Sequence, residues 1–133
     1  MVACRRTASH MDRETRLELI RTTLDDVIRG EGREAPFVVF EDTEAEKFVQ
    51  FAFVGGDLVC DIPIDELSEL EEERVGALPE ISTSESNGKV VAYQRWFSPD
   101  ELDEAAQFTE FLFVDVFQMP PGYTLRVSFQ ELS

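Results

Sequence analysis

One histidine, two cysteines and two lysines are all that the 133-residue chain holds of those types. The lone imidazole, His10, leaves the rest of the chain without a base for a Ser–His or Cys–His pair, so nucleophilic hydrolysis has no candidate. Cys4 and Cys60 cannot build a disulfide framework, nor, without clustered histidines, a zinc site. Cys60 falls on the inward phase of a predicted strand and is expected to act as a small core residue. There is no phosphate loop and no GxGxxG; Gly30/Gly32 and Gly55/Gly56 are placed to end a helix and close a turn. No apolar run approaches the roughly 18 residues of a membrane span, and no leader segment is visible. The expectation is a cytoplasmic protein with no cofactor, no metal, no membrane contact and no enzymatic activity.

What the chain does have is acid. Twenty-eight Asp and Glu face twelve Lys and Arg, a formal net charge of −16. Binding to phosphates through counterion release needs a basic face, so nucleic acid and anionic membranes are disfavoured partners. Heavy acid loading with scarce lysine points to concentrated salt, as in a halophile cytosol, where screening confines self-repulsion to about 3 Å. Affinity for basic partners is the alternative. The cluster Glu41, Asp42, Glu44 and Glu46 resembles a cation loop, but the ligand order and glycine of a calcium loop are missing.

Residues 1–11 carry Arg5 and Arg6, no acid and no apolar period, and are expected to be a loose extension; residues 12–133 form one domain. Leu17, Ile20, Leu24, Val27 and Ile28 fall at helical spacing over Asp12–Arg29, with Thr15 and Glu18 offering a capping box. Phe37–Glu41, Lys47–Val54 and Asp57–Ile62 alternate as three strands of an antiparallel meander, the last two joined at Gly55-Gly56. Asp65–Leu78 is predicted as a second helix capped by Asp65, with Glu71-Glu72-Glu73 as its solvated face. Pro79–Lys89 is predicted as a loop and Val90–Phe97 as a fourth strand. Ser98-Pro99-Asp100-Glu101 starts a third helix that runs to about Gln118, and Tyr123–Gln130 is a fifth strand. The order is α-β-β-β-α-β-α-β, an α+β fold of about five antiparallel strands and three helices.

The third helix has an apolar arc wider than the roughly 100° that one sheet can cover. Leu102, Ala105, Ala106, Thr109, Leu112, Phe113 and Val116 form one face, with Phe108, Phe111 and Phe117 on its flanks. Its polar stripe is Asp103, Gln107, Glu110 and Gln118. Either the helix is wedged between sheet and first helix, or Phe108, Phe111 and Phe117 form a partner-binding patch. Trp96 and Phe97, beside Arg95, are expected to pack in the core. A small-ligand site built on carboxylates such as Asp61 near Tyr93, and a structural role in a larger assembly, are the competing readings.

The segments Phe37–Glu41, Lys47–Phe53 and Leu58–Pro63, the strand Val90–Phe97 and the long apolar third helix together resemble a type III secretion chaperone-like, or YbjN-like, domain over residues 12–118. The resemblance implies a small acidic non-enzymatic protein, often dimeric, that binds extended client segments on sheet or helix surfaces. Members often place two strands between the second and third helices, where one is predicted here, and end on the third helix, where a strand follows here. The functional expectation is a non-catalytic, chaperone-like protein- or peptide-binding module, homodimeric and adapted to high salt.

Overall fold

A computed structural model describes residues 11–30 and 37–130. Residues 1–10 of the expected loose extension, Cys4 and His10 among them, lie outside the described residues, as does Gly32. Met11, counted with the extension, packs against the core and donates its amide to Gly122 O at 3.3 Å. The fold is α+β as expected, three helices with an all-antiparallel sheet, and the sheet has six strands rather than five.

Helix α1 spans Arg13–Arg29. Its start is set by Asp12, whose side chain accepts a hydrogen bond from the Thr15 amide at 2.8 Å, so Thr15 is the capped residue and not the cap. Gly30 ends the helix at φ 45°, a left-handed conformation that costs glycine little. Strands β1 (Phe37–Asp42), β2 (Phe48–Val54) and β3 (Asp57–Pro63) form the expected meander. After β3 the chain makes a 3-10 turn, Ile64–Glu66, so the second helix begins later than expected. Helix α2 covers Glu69–Gly76 and is capped by Ser68, not Asp65. Ser68 and Glu71 form a reciprocal capping box, and Glu71 is buried, with Lys47 Nζ at 2.9 Å from its carboxylate. The expected solvated face thus loses Glu71.

The predicted loop contains the additional strand, β4 (Ser82–Ser86), a hairpin partner of β5 (Lys89–Phe97). The turn is Asn87-Gly88 at φ 54° and 78°, a pair of left-handed positions matching the right-handed twist of the flanking strands. Helix α3 is regular over Leu102–Phe111 and then widens to a π-turn, Leu112–Val116, with Phe117 N donating to Leu112 O at 2.8 Å. Strand β6 (Leu125–Gln130) closes the fold.

The strand order is β4-β5-β3-β2-β1-β6. Alternation sends Val38, Phe40, Val49, Phe51, Leu58, Cys60, Ile62, Phe97 and Leu125 to one face. There they join Leu17, Ile20, Leu24 and Val27 of α1 and Ala105, Leu112, Phe113 and Val116 of the third helical segment in one core. Phe40, Phe51, Phe97 and Phe108 form a chain of rings with centroids 5.9–6.3 Å apart. Each fully buried Phe, Leu or Ile contributes about 1.5–3 kcal/mol before ordering costs. No residue of the opposite sheet face belongs to this core, although Val59 and Ala92 on that face are themselves buried.

Candidate functional site

The three rings singled out on the third helix separate in the structure. Phe108 and Phe117 are buried inside their own fold, Phe108 against Phe97 and Phe117 edge-on to Phe113 at 5.4 Å. Only Phe111 reaches the surface, 37% exposed. It stands on a ridge between two shallow grooves. One, about 460 Å³, is lined by Arg13, Gln107, Val114 and Met119; the other, about 310 Å³, by Leu78, Pro79, Arg95 and Glu104. The wide apolar arc is thus absorbed mostly by α1 and the sheet, and the helix is wedged between them.

Glu110, expected on the polar stripe, is buried. Arg16 grips it with two hydrogen bonds, Nε to Oε1 at 2.8 Å and Nη2 to Oε2 at 2.7 Å. Tyr123 donates its hydroxyl to the same Oε1 at 2.8 Å, and the guanidinium lies 3.9 Å from the centre of the Tyr123 ring. Arg16 Nη1 also donates to the carbonyls of Met11 and Tyr123. Burial is the largest influence on Arg16 and opposes its charge, but the hydrogen bonds and charge attraction of Glu110 and Tyr123 together outweigh it and its pKa is raised. Burial, followed by Glu110, pushes the Tyr123 phenol up. With every buried polar side-chain atom partnered among the described residues, this triad is a clamp between α1, α3 and the approach to β6.

The acidic cluster is also structural. Asp42 is buried, and its carboxylate accepts from the amides of Glu44, Ala45 and Lys47 at 2.6–3.1 Å, which closes the β1–β2 turn. Among the described residues no group of three or more His, Cys, Asp or Glu side chains is arranged to hold a metal ion. Cys60 is fully buried, and burial raises its thiol pKa. Asp61 and Tyr93 fall on opposite sheet faces, since Asp61 is level with Gln94 and Tyr93 with Ile62, so they do not form a joint site.

The face opposite the helices is different in kind. Its register sets three rows across the strands. The first is Trp96, Val59, Ala52 and Phe37. The second is Ser82, Gln94, Asp61, Gln50, Val39 and Ser128. The third is Ser84, Ala92, Pro63, Phe48, Glu41 and Arg126. Trp96, expected in the core, is 47% exposed here, while its neighbours Arg95 and Phe97 turn inward. Arg95 stacks 4.8 Å from both the Phe97 and Phe108 rings and pairs with Glu80 at 2.7 Å. The inward phase of Phe97 on β5 was the signal that Trp96 points out.

This open face carries little charge for so acidic a chain. Its ionic groups are Asp57, Asp61 and Glu41, with Arg126 2.7 Å from Glu41. Asp61 accepts from Gln94 Nε2 at 2.9 Å, with Gln50 Nε2 at 3.5 Å. The depression around it, about 300 Å³, is floored by Phe37, Ala52 and Val59. Apolar and aromatic surface, amides and scarce charge are what the buried centre of a protein contact consists of.

No family model, no curated protein and no solved structure matches the chain. Among the described residues no helix is long and apolar enough to cross a membrane.

Proposed function

We propose that the protein is a non-catalytic, chaperone-like protein-binding module of a salt-rich cytoplasm, and that the open sheet face is its working surface. One observation carries the reading: the sheet is covered by helices on one side only, and the uncovered side holds an exposed Trp96 in a row with Val59, Ala52 and Phe37. Antiparallel sheets tolerate a wet face, but such a face then alternates to polar residues, whereas half of the residues in these rows are apolar and Trp96 among them is exposed. The two strands between α2 and α3 also agree with the chaperone-like pattern, which implies protein clients and no chemistry. The acidity is the solvent-facing adaptation of the remaining surface, and it keeps nucleic acid and anionic lipid away.

The test is native mass spectrometry of the chain isolated with the proteins bound to it. Trp96→Ala is expected to lose the bound protein with its circular dichroism unchanged, and Phe111→Ser to keep it. Full binding by Trp96→Ala with loss in Phe111→Ser would move the contact to the helical layer and overturn the reading.

A further inference from the structure

We propose that the open face binds a second copy of this chain, sheet against sheet, in a symmetric dimer. This inference rests on the protein-contact reading and names its partner.

Charge argues for a copy over a basic protein. The chain has sixteen more negative than positive groups, so two copies repel over most of their surfaces. They can meet with least repulsion where charge is scarce. The open face is such a place: Glu41 is answered by Arg126, Asp61 has an amide donor in Gln94 that stays with it when water leaves, and Asp57 stands exposed at the edge of the face beside the β2–β3 turn. A basic partner gains little from a face with so few acids; its attraction lies with the denser acids elsewhere on the molecule.

Size argues the same way. Six strands about 4.8 Å apart, with about six residues each at about 3.3 Å, make a face of roughly 29 by 20 Å. Two such faces cover about 1,200 Å² together, the lower end of a specific interface. Two twisted sheets pack with their strands about 30° apart and about 10 Å between layers, a spacing that side chains such as Trp96 and Phe48 fill from either side. An apolar first row, a second row of amides and small polar groups and a third row that adds Phe48 and Pro63 give the surface groups that can face their own copies across a two-fold axis, as an isologous contact requires.

The geometry has a consequence for salt. Screening shortens the repulsion between two acidic copies from about 10 Å at 0.1 M to about 3 Å at 1 M, while salting-out ions strengthen apolar burial. The dimer therefore tightens as salt rises, opposite to a contact held by ion pairs.

Sedimentation equilibrium of the purified full chain decides it, at about 0.1 M and about 1 M potassium chloride. The native chain is expected to show twice its monomer mass at micromolar concentrations in high salt, with a dissociation constant at least about tenfold weaker in low salt, or about 1.4 kcal/mol. Ala52→Glu and Trp96→Glu each place a carboxylate in the first row. Both are expected to stay monomeric. Ala52→Glu sits on an inner strand, so Trp96→Glu, at an exposed position, decides the matter if Ala52→Glu fails to fold. Phe111→Ser is expected to dimerise as the native chain does. A native chain that stays monomeric in both salts overturns the second-copy inference, as does a Trp96→Glu chain that dimerises normally. The broader protein-contact reading falls separately, by the Trp96→Ala result with bound proteins.

Discussion

Removing Glu110 should unfold this protein more readily than any surface substitution. The carboxylate is 5% exposed and its partner Arg16 is 1% exposed, so neither group can turn to water when the other is cut away. Glu110→Ala leaves a buried guanidinium facing two backbone carbonyls and leaves the Tyr123 hydroxyl without its acceptor. Breaking a buried pair in this way costs about 3–5 kcal/mol. An unfolding entropy of about 2.1 cal/mol/K per residue over 133 residues turns that into a fall in Tm of about 11–18 °C. Tyr123→Phe removes one hydrogen bond to a charged group and costs about 1.5–3 kcal/mol, or about 5–11 °C. Arg16→Met with Glu110→Leu removes both charges, and its loss should be far smaller than the sum of the single changes. Thermal melts followed by circular dichroism, with urea titrations for the free energies, read all four chains. Because the pair is shielded from solvent, the cost should persist in molar salt. A Glu110→Ala chain within about 1 kcal/mol of the native one would refute the clamp.

Three further outcomes follow from particular residues. Gly88 adopts φ 78° with open space where a side chain would go, so Gly88→Ala should cost about 1 kcal/mol by strain alone, seen as faster amide exchange in β4 and β5. Burial opposes ionisation of Glu71, but Lys47 and the Ser68 amide outweigh it and hold its pKa below the usual range. That stabilisation is present above the unfolded-state value near 4.3 and is lost as pH falls through the lower folded one; Glu71→Gln should therefore cost about 1 kcal/mol at pH 7, with the gap closing as pH falls below the usual carboxylate range in parallel melts. In a Cys4→Ser background, Cys60 should resist a thiol reagent until the chain unfolds, since burial keeps it protonated and covered.

The sequence made the covered side of the fold legible. The alternation of Val49, Phe51 and Leu58, Cys60, Ile62 gave both the meander and its inward face, because one-sided burial imposes a period of two. It concealed β4 because Ser82–Ser86 is an edge strand without an inward apolar set, and edge strands need none. The Asn87-Gly88 pair was its available signal. The second helix began late because Ser68, with Glu71 three residues on, is a stronger capping pair than Asp65 alone. The clamp was not legible at all, since 94 residues separate Arg16 from Glu110 and no local pattern joins them. The partner surface was sought on the apolar helix because exposed Phe attracts attention in a helical period. That helix instead found cover from α1 and the sheet, and the uncovered rings and aliphatic groups lie across strands, where a row is assembled from residues far apart in the chain.

The only tryptophan in the chain stands on the face at issue, which makes its fluorescence the most direct test of whether protein covers that face. Emission and acrylamide quenching of Trp96 are followed from dilute to concentrated protein in molar salt. Coverage of the sheet predicts a blue shift and a drop in quenching as concentration rises, both reversed on dilution. Emission that stays at the water-exposed position, with quenching unchanged over the whole range, would contradict it.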